Sequence, residues 1–212
     1  MARPRSDIAP RIVHAARDRF LKHGVDGASL RDIARAARSS VGMVHYYFPT
    51  KDDLLLAVIE EVYGAMSADI RKALEPDAGV EERLRRLYAR IAGMSDEEFT
   101  VIRIVLREAL VSSGRLKKVF ARFTAEGAHV PLIAGTVAQG IQTGALRDDM
   151  NPLFLLVATM ALGFMPVVAR RLAQGALPDL QLPPPAEMAS GLTRALLHGI
   201  GGPEVRRRAD LG

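Results

Sequence analysis

Apolar residues recur at three- and four-residue intervals along most of the chain, the spacing that gathers them on one face of an α-helix. Ile8, Ile12, Ala16 and Phe20 predict a first helix from near Ser6 or Asp7 to His23, with Gly24 as a left-handed stop. Leu30, Ile33, Ala34 and Ala37 form the narrow apolar face of a short second helix. Val41, Val44 and the run Tyr46, Tyr47, Phe48 belong to a third short helix, which Pro49 ends because the residue before a proline is driven out of helical geometry. Leu54, Val58, Ile59, Val62, Met66, Ile70 and Leu74 mark a long fourth helix over 51–75. After a loop at 75–79 the pattern resumes over 80–92, 96–111, 116–123, 125–142 and 153–169. A last helix opens at Pro184 or Pro185, repeats Met188, Leu192, Leu196 and Ile200, and stops at Gly201, Gly202 and Pro203. No stretch alternates with period two and no hairpin turn lies between strand-like runs, so the expected fold class is all-α.

Residues 28–54, ASLRDIARAARSSVGMVHYYFPTKDDL, carry the clearest chemical signal. Ser29 with Asp32, Ser39 or Ser40, and Thr50 with Asp53 are three successive helix starts, each a side-chain oxygen placed to accept an exposed backbone N–H. Short helix, tight turn, short helix, then the entrance to a long one is the layout of a helix-turn-helix DNA reader. A recognition helix presents small or polar groups to base edges and donors to phosphates. Ser39, Ser40, Gly42 and Met43 are therefore candidates to face the groove, Gly42 permitting close backbone approach, and Tyr46 and Tyr47 offer hydroxyl donors. Val44 and Phe48 are assigned to the core, and Tyr46 fits either side. His45 is open between a phosphate contact and a plain surface residue.

The segment resembles the N-terminal domain of the tetracycline-repressor (TetR) family through Ala34, Ala37, Ser40, Gly42, Val44, Tyr47, Phe48, Thr50, Lys51, Asp52 and Leu54, preceded by Phe20, Gly24, Val25 and Ser29. The resemblance implies that Tyr47 and Lys51 contact phosphates, with Arg31 and Ser29 next. It also implies a body that binds an effector and dimerises. There are two departures from the family pattern: His45 replaces a tyrosine, and Arg38 and Ser39 replace a Gly-Val turn. The implied organisation is a three-helix head at 1–50, a ligand-binding and dimerisation domain at 51–203 bridged by helix 51–75, and a mobile tail at 204–212.

Charge supports the head. Residues 1–51 carry ten Lys and Arg against four Asp, a net +6 in a chain whose total is +5, which leaves −1 for the remaining 161 residues. The chain has no cysteine, which excludes disulfides and cysteine ligands or nucleophiles, and MARPRSDIAP lacks a signal-peptide core, so a cytoplasmic location is expected. The five histidines show no metal-ligand spacing, and no nucleophile elbow, P-loop or dinucleotide glycine pattern occurs. Asp96, Glu97 and Glu98 read as the acidic first turn of a helix. No enzyme activity, metal or cofactor is expected.

The body offers two further readings. Phe99, Phe120, Phe123, Phe154, Met160 and Phe164 are candidates to line an apolar effector cavity, or else ordinary core. Arg103 and Arg107, four apart, are placed either to meet a carboxylate effector or to pair with nearby acids such as Glu108. The uncharged stretch 153–169 is at the lower limit for a membrane span, but with Gly163 and Pro166 inside it is assigned to a dimer interface shared with Leu192, Ala195, Leu196 and Gly199. The expected protein is a ligand-responsive regulator, a homodimeric repressor released from palindromic double-stranded operator DNA by a small, mostly apolar effector. The alternatives are a ligand-independent or activating regulator, and a membrane-associated helical protein.

Overall fold

The computed structural model describes residues 7–111, 113–125, 128–176 and 183–199, and among these it contains ten helices and no strand. The helices are α1 (Ile8–Gly27), α2 (Leu30–Ala36), α3 (Val41–Tyr47), α4 (Lys51–Ala73), α5 (Val80–Ala92), α6 (Asp96–Val111), α7 (Ser113–Thr124), α8 (His129–Gln142), α9 (Pro152–Ala176) and α10 (Pro185–His198). Three differ appreciably from the periodicity. α1 resumes after a kink at Gly24 and ends at Gly27 rather than His23. α8 starts at His129 rather than near Ala125, and α9 continues through Pro166 to Ala176, because a proline costs one backbone hydrogen bond that a long packed helix can forgo. The expected tail at 204–212 and Ile200 lie outside the described residues.

The chain forms two compact units. Unit 1 comprises residues 1–68 and 95–128, and unit 2 comprises 69–94 and 129–212. The division does not fall at residue 50: α4 begins in unit 1 and ends in unit 2, and α6 and α7 belong with the three-helix head. The core of unit 1 explains this. Ile12, Phe20, Val25, Ile33, Val44, Leu54 and Ile59 are buried in one cluster that also takes in Val101 and Ile104 of α6 and Val119 of α7. Tyr63 of α4 stacks on Phe123 of α7, ring centroids 5.1 Å apart.

In unit 2, α5 is the central helix, packed by α8, α9 and α10. Small residues permit the approach: a Cβ at Gly163 of α9 would stand 3.0 Å from Ile91 and from the Tyr88 ring, and one at Gly140 of α8 would stand 2.7 Å from Leu146. A smaller cluster gathers Val137, Leu146 and Leu155, with Leu196 and Leu197 of α10 against it. By length and composition 152–171 of α9 could cross a membrane, and it carries an outward apolar stripe in which Leu153, Phe154, Val157 and Met165 are all more than half exposed.

Candidate nucleic-acid interface

The head is assembled by caps. Ser29 Oγ accepts from Asp32 N at the start of α2, and Ser40 Oγ accepts from Met43 N at 3.2 Å at the start of α3. Thr50 and Asp53 cap α4 reciprocally: Asp53 N donates to Thr50 Oγ1 at 3.1 Å, while Thr50 N and Oγ1 donate to Asp53 Oδ2 at 3.0 and 2.7 Å. Each such cap contributes about 1 kcal/mol, which matters for helices of only seven residues.

The turn between α2 and α3 is made without glycine. Arg38 adopts φ 51°, the sole positive-φ residue other than glycine among the described residues. Arg11 of α1 holds it there by donating to the Ala37 and Arg38 carbonyls, the latter at 2.9 Å. Gly24 lies at φ 74°, ψ 171°, breaking α1 before its last short turn, and the Arg107 guanidinium occupies the space a side chain there would need.

Ser40, Gly42, His45 and Tyr46 are exposed, Tyr46 by 77%, while Met43 and Tyr47 are half-buried. A Cβ on Gly42 would meet only Ser40 Oγ, at 3.8 Å, so this side of α3 is open to close approach. Ser39 differs from the rest of the expected set: its hydroxyl oxygen is buried, because the residue follows the left-handed turn and points inward. Ser40 is the cap. Val44 is fully buried and Phe48 packs on the same core, as their apolar spacing required. Ser29 and Arg31 are exposed at the start of α2. Lys51 Nζ donates to the Asp26 carbonyl at 2.9 Å, which anchors the side chain at the start of α4 and leaves two further ammonium hydrogens.

Behind Lys51 stands an ionic clamp that sequence reasoning missed. Arg115 of α7 donates to Asp26 beyond the α1 kink, to Asp52 in the first turn of α4 at 2.8 Å and to Glu108 of α6 at 2.9 Å. Glu108 in turn accepts from the Val25 backbone N–H at 3.1 Å, and Lys118 donates to Asp52 at 2.8 Å. The hydrogen bond from Arg115 lowers the pKa of Asp26, and those from Lys118 and Arg115 lower that of Asp52. The local signal is only an acidic residue beside a basic motif, since Arg115 lies 63 and 89 residues from Asp52 and Asp26.

The residues expected around an effector are divided between the units. Phe99, Arg103, Phe120 and Phe123 lie in unit 1, and Phe154, Met160 and Phe164 in unit 2. Phe120 and Phe154 are 55% and 59% exposed, and Phe154 belongs to the outward stripe of α9. Arg103 and Arg107 flank a recess of about 280 Å³ on α1 and α6 that Phe20, Leu21, Ile104 and Leu106 complete. Of the expected interface positions, Leu192, Ala195 and Leu196 are half-buried and Gly199 is exposed. Among the described residues no group of acidic or histidine side chains is placed to hold a metal.

Comparison with known proteins agrees with this geometry. The family described as bacterial regulatory proteins, tetR family, matches residues 12–58, from the second turn of α1 to the second turn of α4. The HTH-type transcriptional repressor NicS of Pseudomonas putida is 26% identical over 151 residues, covering 70% of this chain and 71% of the relative. Two solved structures share the fold. FadR from Bacillus subtilis in complex with stearoyl-CoA is 17% identical with a TM-score of 0.67, covering 91% of this chain and 99% of FadR. AibR in complex with isovaleryl coenzyme A and operator DNA is 20% identical with a TM-score of 0.66, covering 89% and 97%. The capped α2, turn and α3, the outward face of α3 and these likenesses lead to one assignment: the chain belongs to the TetR family of DNA-binding transcriptional regulators.

Proposed function

We propose that the protein is a cytoplasmic, non-enzymatic repressor that binds a palindromic operator as a homodimer and is released by a small-molecule effector. The observation that carries this reading is the face of α3, where Ser40, Gly42, His45 and Tyr46 stand exposed on a helix whose opposite side is fixed to the core by Val44 and Phe48. Ser29, Arg31, Tyr47 and Lys51 flank it and contact phosphates, while Ser40, Gly42 and Met43 approach base edges. A two-fold arrangement places two such helices in successive major grooves.

The exposed stripe Leu153, Phe154, Val157 and Met165 on α9 supports the homodimer, and the half-buried Leu192, Ala195 and Leu196 of α10 are proposed to join it. The body that follows Lys51 acts as sensor. Met160 and Phe164 of unit 2 are its candidate ligand contacts, and Phe154 is reassigned to the dimer face. FadR and AibR were solved with stearoyl-CoA and isovaleryl coenzyme A bound, and this chain is proposed to respond to a ligand in a comparable way. α4, which carries the chain from unit 1 to unit 2, transmits the response.

Selection of binding sequences from random double-stranded DNA tests the reading, combined with sedimentation of the free protein. A palindromic consensus and a dimer that Val157→Glu converts to monomer with lost operator affinity are expected. A wild-type monomer at micromolar concentration, or selected sites without two-fold symmetry, would refute the proposal.

A further inference from the structure

Unit 2 holds a charge that its described residues leave unbalanced. Arg83, on the buried face of α5, is only 4% exposed. Its Nη2 donates to the Gln139 side-chain carbonyl of α8, a neutral partner. Among the described residues no carboxylate pairs with it, and its buried Nε–H has no acceptor. The other arginines of α5 contrast with it: Arg85 and Arg86 reach Glu82, and Arg90 reaches Asp69. A buried lysine or histidine can shed its proton, but a guanidinium stays charged, so the cost of burying Arg83 unpaired falls on the fold.

A second group on the same helix is in a similar condition. The Tyr88 hydroxyl is fully buried without a hydrogen-bond partner of good geometry, and the Thr159 hydroxyl beside it donates instead to the Leu155 carbonyl at 2.8 Å. Three buried side chains among the described residues have such orphaned atoms, and two of them, Arg83 and Tyr88, lie on the central helix of unit 2. Native proteins keep few unsatisfied buried polar groups, and each one that persists calls for a partner or a role.

We propose that Arg83, oriented by Gln139, anchors an anionic head group, so that the effector is an organic acid anion, carboxylate or phosphate, with an apolar body. This rests on the ligand-responsive reading above and refines it, since a purely apolar effector would leave the guanidinium unpaired. The planar fork suits an oxyanion: Gln139 fixes one edge and the Nε–H remains to donate.

The probes are hexanoate, hexanamide and hexyl phosphate, with binding followed by calorimetry and by thermal shift. Wild type should bind at least one of the two anions about tenfold or more tightly than the isosteric neutral amide, and the stronger anion identifies the head group. Arg83→Met should abolish that preference and raise the melting temperature of the free protein, because an uncompensated buried charge is replaced by an apolar side chain of similar length. Arg83→Lys, which keeps the charge without the fork, should retain a reduced preference for the anion. Failure of both anions to outbind the amide, or an undiminished anion preference in Arg83→Met, overturns the site, as does a lower melting temperature in Arg83→Met accompanied by unchanged anion binding. Operator affinity is measured in parallel. Arg83-dependent anion binding that leaves operator affinity unchanged upholds the site and refutes its role as the regulatory switch, whereas release by neutral compounds alone, unaffected by Arg83→Met, upholds regulation and overturns the site.

Discussion

Arg115→Ala removes the centre of the clamp that joins α1, α4, α6 and α7, and its cost follows from which partners are buried. The Arg115 side chain is 14% exposed and its partner Glu108 only 5%. Loss of the guanidinium leaves the Glu108 carboxylate buried with the Val25 N–H as its remaining partner, the situation in which breaking an ion pair costs about 3–5 kcal/mol. Asp26 is 73% exposed and adds little, because solvent screens it. For a chain of this size the loss corresponds to a fall of roughly 6–20 °C in the thermal midpoint. Glu108→Gln in the Arg115→Ala background should recover much of it, since an amide oxygen still accepts from Val25 N without a buried charge. Circular dichroism melts of wild type, both single variants and the double variant complete the cycle. The pH dependence has a definite sign. The pKa of Asp52 is lowered from 3.8 by its hydrogen bonds to Lys118 and Arg115, so its contribution is present above that value and is lost as pH falls through the depressed one. Wild type and Arg115→Ala should therefore converge in strong acid. A loss below about 1 kcal/mol at neutral pH, or strictly additive single effects, would show that the clamp is only a surface decoration.

Three further outcomes are expected. Arg38→Gly should stabilise the protein by up to about 1 kcal/mol in urea titrations, because glycine adopts φ 51° without the Cβ strain that arginine bears, less its greater entropy in the unfolded chain. Lys51→Ala should weaken operator and random DNA alike and reduce the slope of log affinity against log salt by about 1 for each phosphate that is no longer neutralised, as measured by fluorescence anisotropy over roughly 50 to 200 mM salt. Burial lowers the pKa of His129 from 6.5 to about 4, so the unfolded chain binds its proton first and stability falls as pH drops from about 6.5 to 4, by about 3 kcal/mol in all; His129→Leu should flatten the melting temperature over that interval.

The helices are legible in the sequence because their determinants are local. The caps at Ser29, Ser40 and Thr50 lie within three residues of the N–H groups they satisfy, and the faces that become core, such as Ile12, Phe20, Ile33 and Val44, repeat at helical spacing. The start of α8 is less legible, since Ala125 onward continues an apolar pattern that does not itself mark where a helix begins. The far end of α9 is hidden because Arg170 and Arg171 resemble a helix terminus. Arg170 instead donates to the Pro183 carbonyl and Arg171 to the Met94 carbonyl at 3.1 Å, so both charges are used beside a helix that continues.

At the head, the same distinction separates what can be read from what cannot. The exposed face of α3 follows from its period, since Val44 inward puts Gly42, His45 and Tyr46 outward. Ser39 and Ser40 are adjacent, chemically identical and equally suited to cap, and only the left-handed backbone at Arg38 turns one hydroxyl inward and leaves the other at the helix start. That backbone is in turn held by Arg11, 27 residues earlier, for which an amphipathic pattern carries no signal. The Arg115 clamp is the extreme case: two of the acids it joins, Asp26 and Asp52, lie beside Lys51, so an arginine in the seventh helix neutralises carboxylates that would otherwise oppose an anion at the start of the fourth. The positive face of the head thus depends partly on residues beyond the sequence motif, and a head cut at residue 50 would lose Lys51 and Asp52 and leave Asp26 without Arg115.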